Sequence, residues 1–123
     1  MKTIVNLTQH SASQDQIAVG VFDLADTTAL KGLLTFADLP TAQDIQERAE
    51  KIAQLAKAEN VTSAMVGGAG YLMPKLEAEL IKVGIKPLHA FSQRVSVETT
   101  NDDGEVVKTN VFKHVGFVDG SLS

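Results

Sequence analysis

Three short stretches of this sequence hold the side chains best suited to chemistry. The first is Asn6-Leu-Thr-Gln-His10-Ser11. Its amide, hydroxyl and imidazole groups can all hydrogen-bond phosphate or sugar oxygens. The imidazole of His10 also suits general acid or base work near neutral pH. The same residue types favour helix entries and turns for local reasons, so the stretch serves equally as a cap. The second is Gly67-Gly68-Ala69-Gly70. Glycines admit a ligand close to the backbone, and a helix beginning after them attracts anions. A tight turn with close helix–sheet packing explains them as well. The third is Ser92-Gln93-Arg94. A guanidinium at a strand end can clamp a phosphate through two parallel hydrogen bonds, or pair with a surface acid.

On this reading His10 and Arg94 are the candidate catalytic residues. Asn6, Thr8, Gln9, Ser11, Gly67, Gly68, Ala69, Gly70 and Ser92 are the candidate ligand contacts. The other two histidines are assigned no chemistry. His89 falls inside a predicted strand as a core or interface residue, and His114, beside Lys113, falls on a solvated strand face. No complete phosphate-binding or dinucleotide fingerprint is present. No Lys-Ser/Thr pair follows the glycines, and Pro and Met stand where a third fingerprint glycine would be needed. There is no Gly-x-Ser-x-Gly elbow. The chain has no cysteine, which removes disulfides, thiolate metal sites and thiol nucleophiles. No spacing of histidines or carboxylates suggests a metal site, and no cofactor is expected.

The elements that must position these residues follow from patterning. Residues 2–7 form a β-prone run. Ser13-Gln-Asp-Gln16 matches a capping box, opening a short helix that ends at Gly20. Val19 to Leu24 is a second strand. Residues 25–39 stay open between a helical turn capped at Asp26 and a short strand over Leu33–Phe36. Thr41 is an N-cap, and Ile45, Ala49, Ile52, Ala53 and Ala56 recur at helical spacing, predicting an amphipathic helix over 41–59. Val61 to Val66 is a buried parallel strand, Tyr71 to Val83 a helix with Pro74 in its first turn and Gly84 as its cap, and Ile85 to Phe91 a further strand. Pro87 places the start or an edge of that strand near itself.

The last third changes character. Arg94–Thr99 and Glu105–Val111 are β-prone arms joined by Thr100-Asn-Asp-Asp-Gly104, with Phe112–Val118 continuing the second arm. The expected fold is therefore a single α/β domain over residues 1–123. It comprises a small Rossmann-like, mostly parallel sheet flanked by helices (2–92) and a C-terminal antiparallel β-hairpin (93–118). Ligands of such sheets gather beyond the carboxyl ends of the strands, where all three stretches are expected to meet.

In these features the chain resembles the small CRISPR-associated Rossmann-like (CARF-like) proteins, in particular their compact ring nucleases. The likeness rests on Asn6-Leu-Thr-Gln-His10, Gly67-Gly-Ala-Gly70 and Phe91-Ser-Gln-Arg94 and covers residues 2–94 in order of elements. It implies a homodimer holding a cyclic oligoadenylate across its two-fold axis, cleaved without metal by attack of a ribose 2′-hydroxyl. Thr8, His10 and Ser11 would face the ligand from the first turn, and Gly68 to Gly70 from the second. Arg94 would stabilise the developing charge.

The totals limit the partners. Net charge is −4, the wrong sign for a broad nucleic-acid surface, so duplex nucleic acid is not expected as a partner. A small anionic nucleotide in one local pocket needs only a few donors. No apolar run approaches the ~18 residues of a membrane span, and the polar stretch from Gln9 to Ser13 cuts the first apolar run too short for a leader. No membrane partner and a cytoplasmic location are therefore expected. A second reading, from another class, is a non-catalytic interaction protein of a phage or mobile element, with the late hairpin as dimer arm or docking edge.

Overall fold

The computed structural model of the chain describes residues 2–121. Its elements run β1 (Ile4–Leu7), α1 (Gln14–Ala18), β2 (Val21–Asp23), α2 (Thr28–Leu34), α3 (Ala42–Lys57), β3 (Ser63–Val66), α4 (Met73–Lys82), β4 (Lys86–Thr100) and β5 (Val106–Asp119). The expected α/β class is what the chain adopts. One five-stranded sheet has the order β2-β1-β3-β4-β5. β1 to β4 pair in parallel, and β5 returns antiparallel to β4.

Local chemistry accounts for the helices. Ser13 and Gln16 form the reciprocal capping box of α1, and the Thr41 hydroxyl accepts from the Asp44 amide at the start of α3. The open segment 25–39 resolves as helix rather than strand. The Asp26 carboxylate accepts from the Thr28 amide at 2.9 Å, and Leu30 and Leu34 bury themselves one turn apart. Those hydrogen bonds, from the backbone and then the side chain of Thr28, hold the Asp26 carboxyl below its ordinary range.

The two faces of the sheet are unequally covered. Alternation sends Val5 and Leu7 of β1, and Ala64 and Val66 of β3, to one side. There they join Leu30 and Leu34, the α3 stripe Ala49, Ile52, Ala53 and Ala56, and Leu72, Leu76 and Leu80 in one core. The opposite side carries Ile4, Asn6, Met65 and Leu88 and receives only α1, which packs on β2 and β5 and buries none of its own residues. Ile17 of α1 stays 55 % exposed. The sequence predicts a sheet flanked by helices, but on this side the five-residue α1 is too short to cover it.

β4 is longer than the sequence implies. The predicted strands at 85–91 and 94–99 are one continuous element of 15 residues. Only Lys86–His89 lie beside β3, and the remainder runs with β5 as a two-stranded ribbon projecting past the sheet. Pro87 is tolerated at the root for a geometric reason. Lys86 donates to Thr62 on the β3 side, so the Pro87 nitrogen faces the other way, just before β5 pairing begins at Leu88–Asp119. The ribbon turns at residues 101–105, with Gly104 at φ 81°. Among the described residues, no helix is long and apolar enough to cross a membrane.

Candidate functional site

In the order β2-β1-β3-β4, the chain leaves β1 toward β2 and later leaves β3 toward β4. The connections after β1 and β3 therefore run apart from adjacent strand ends and open a crevice between them. The pocket found there has a volume of about 300 Å³. Thr8, Gln9, His10 and Ser11 line it from the first connection, and Gly67 and Gly68 from the second. Met65, Ala90 and Gln16 form its floor and far wall.

Asn6 builds the first connection. It is the one buried polar residue among the described residues, 3 % exposed at the end of β1. Its Nδ2 donates to the His10 carbonyl at 2.7 Å and to Asp23 Oδ1 at 2.8 Å. Its Oδ1 accepts from the Thr8 amide at 2.9 Å and the Thr8 hydroxyl at 2.7 Å. Two donors and two lone pairs are thus all engaged, and nothing remains for a ligand. Asp23 extends the network by accepting from the Ala12 amide at 3.0 Å. Asn6 is consequently the organiser of the turn, with its side chain fully engaged within the protein.

Thr8 shares in this. Its hydroxyl is committed to Asn6, and its methyl presses on the second connection. A Cβ on Gly67 would lie 3.3 Å from Thr8 Cγ2, so the two turns pack too closely for any larger residue without a shift. Gly68 is required for another reason, its φ of 147°, which side chains rarely adopt. Gln9, His10 and Ser11 lie exposed on the pocket wall. Among the described residues no hydrogen bond engages the His10 ring, while Gln9 reaches Leu34 O and Thr35 Oγ1 only at 3.4 Å each. These side chains are available to a ligand.

Three predicted contacts fall elsewhere. Ala69 turns to α4, where its carbonyl accepts from the Leu72 and Met73 amides, and Gly70 lies in open space outside the pocket lining. Ser92 lies beyond the bulge of the ribbon, paired with His114.

Arg94 is the larger correction. β1 and β4 are parallel as required, but β4 overshoots. His89 is the residue paired with Val66, and Arg94 stands roughly 16 Å further along the strand. There its guanidinium lies 5.3 Å from the Phe112 ring centroid. Within one chain it does not share the pocket with His10 and Gly68.

The cation that the sequence reading missed is Lys31 of α2. It lines a small recess continuous with the His10 turn, together with Asn6, Asp23 and Thr27. From sequence Lys31 is assigned no role; only the folding of 25–39 as α2 brings it to the rim. Arg48, the other basic group near this end, is occupied. It pairs with Asp44 at 3.1 Å, donates to the Leu33 carbonyl at 3.3 Å and lies 4.2 Å from the Phe36 ring centroid, tying α3 to the end of α2. A wider groove runs outside α2 and α3. It is lined by Ala29, Leu33, Leu55 and Ala58, with Glu50, Lys51, Gln54 and Glu79 among them. Among the described residues, no three His, Asp or Glu side chains gather as a metal site would need.

A family model described as the Uncharacterized protein MJ1673 family matches residues 2–118. No curated protein and no solved structure matches the chain.

Proposed function

We propose that this chain, which belongs to the MJ1673 family, binds a small anionic nucleotide in the crevice between the ends of β1 and β3. The observation that carries the reading is the junction itself. Two turns meet at the one point where the chain reverses its direction of travel across the sheet, with free His10, Gln9 and Ser11 on one wall and Gly67–Gly68 on the other. Lys31 supplies positive charge from the adjoining recess.

The fuller form of the proposal follows the likeness to ring nucleases, and places the protein in the cytoplasm as a homodimer. The ligand is then a cyclic oligoadenylate. A ribose 2′-oxygen attacks the adjacent phosphorus, the bond to the 5′-oxygen breaks, and a 2′,3′-cyclic phosphate and a free 5′-hydroxyl result. His10 takes the proton of the attacking hydroxyl, and the leaving oxygen gains one from solvent. Lys31 and the pocket amides, rather than Arg94 of the same chain, neutralise the charge that develops on phosphate.

The test is calorimetric titration with AMP, cyclic di-AMP and cyclic tri- and tetra-adenylate, with product analysis of each mixture. Binding of at least one is expected, weakened at least tenfold in His10→Ala and in Lys31→Ala while both variants melt like the parent. If none binds at ~0.1 mM, a threshold of only ~5.5 kcal/mol, the reading is abandoned. Binding without cleavage would leave the pocket and remove the nuclease.

A further inference from the structure

The ribbon formed by residues 90–100 and 106–117 has two unlike faces. Alternation puts Arg94, Ser96 and Glu98 opposite Phe112, Asn110 and Lys108 on one face. That face is furnished with its own cross-strand pairs. Ser96 Oγ donates to Asn110 Oδ1 at 3.0 Å, Lys108 meets Glu98 at 3.7 Å, and the Arg94 guanidinium lies 5.3 Å from the ring centroid of Phe112, which stays 71 % exposed. The other face presents Val95 and Val97 opposite Val111 and Thr109, then Thr99 opposite Val107. Val97, Val107 and Val111 are each about 40 % exposed, and no helix lies over them. A lone two-stranded ribbon is marginal in water, and a valine face gains nothing by facing solvent.

The charges along the ribbon are ordered as well. Its tip holds Asp102, Asp103 and Glu105, and its root holds Arg94, Lys113 and His114. Acid at one end and base at the other is a pattern that complements itself when reversed. We propose that the occupant of the valine face is the same face of a second copy, the two ribbons stacking antiparallel about a two-fold axis through Val97 and Thr109. Thr109 is the midpoint of two equal steps. One sets Val107 of one copy on Val111 of the other; the next sets Glu105 opposite Lys113. Each acidic tip then lies on the basic root of its partner, and both contacts occur twice, as an isologous interface requires. The shared face is about 30 Å long and one ribbon wide, smaller than a standard interface, so a weak dimer is expected.

This contact would hold the homodimer of the proposed function and rests on that part of the reading alone. Loss of nucleotide binding leaves it standing, and loss of assembly leaves the pocket. The experiment is sedimentation equilibrium of the full chain from 1 to 200 µM, with circular dichroism as the check on fold. The parent is expected to dimerise. Val97→Lys is expected to remain monomeric throughout, with an unchanged melting temperature at low concentration. Lys113→Glu and Glu105→Lys should each weaken the dimer about tenfold, and the two together should restore it, because the exchanged pair is complementary again.

A parent that stays monomeric to 200 µM overturns the proposal and leaves the face to some other protein. So does a parent dimer that survives Val97→Lys, and so does one that dissociates only on Ile17→Glu in the exposed helix α1. Failure of the double exchange to recover what each single change loses overturns the register.

Discussion

At the scale of single residues, the rim separates side chains that build it from side chains left over for use. Asn6 is in the first group. Its amide closes four hydrogen bonds at once, and deleting it leaves the His10 carbonyl, the Thr8 amide and Asp23 without that partner. Asn6→Ala is expected to cost about 1–3 kcal/mol in urea unfolding, the range for leaving part-buried polar groups without partners. His10→Ala removes a ring that no hydrogen bond from the described residues engages, and should change stability by less than about 0.5 kcal/mol. The pair is informative because the sequence reading ranked both as site residues. Unfolding curves in which His10→Ala loses more than Asn6→Ala would reverse the division of labour. Asn6 was legible as polar and important, but its role was not. Whether an amide serves a ligand or a turn depends on which backbone groups fold back to it, and Asp23, seventeen positions away, is among its partners.

At the scale of elements, capping chemistry was legible because it is local. Ser13-x-x-Gln16 and Thr41 act within one turn of chain, and both cap where their spacing says. The glycine turn after β3 was legible as a turn but not residue by residue. Gly68 alone combines a left-handed φ with a place on the pocket wall, whereas Gly70 has neither. Gly68→Ala should therefore destabilise by about 1–3 kcal/mol, and Gly70→Ala by less than about 1 kcal/mol or not at all. Thermal melts of the two variants check this, and equal losses would mean that the turn is strained as a whole. The reach of β4 was not legible. The polar run Ser92-Gln93-Arg94 interrupts the apolar pattern like a strand end, and nothing local shows that the strand passes through it, beyond the point where β3 ceases to run alongside. Arg94 was therefore read at a strand end when it stands on a projecting ribbon. Likewise Lys31 could be read only after 25–39 was known to be helix, since the apolar run Leu33–Phe36 fits either element.

At the scale of the whole molecule, two bodies of different stability share one strand. The sheet from β2 to the root of β4 lies against α2, α3 and α4, with Val5, Leu7, Leu72, Leu76 and Leu80 fully buried. Opening it requires breaking that core. Apart from α1 beside its root, the ribbon beyond Phe91 has only its own ladder and, on its polar face, exposed pairs worth a fraction of a kcal/mol each. Its amides should exchange with solvent through local opening, at free energies well below those of Val5 or Val66. This sets an expectation that the body cannot share. If the valine faces of two copies cover one another, ribbon protection rises with protein concentration by mass action. Between 5 and 200 µM, exchange at Val95, Val97, Val107 and Val111 should slow several-fold, while exchange at Val5 and Val66 should stay constant within error. The same comparison with Val97→Lys should show fast ribbon exchange at both concentrations. Slow ribbon exchange that ignores concentration would mean that the arm is held rigid by its own twist and ladder. The exposed valines would then need another explanation, because a ribbon stable alone has no call for a partner.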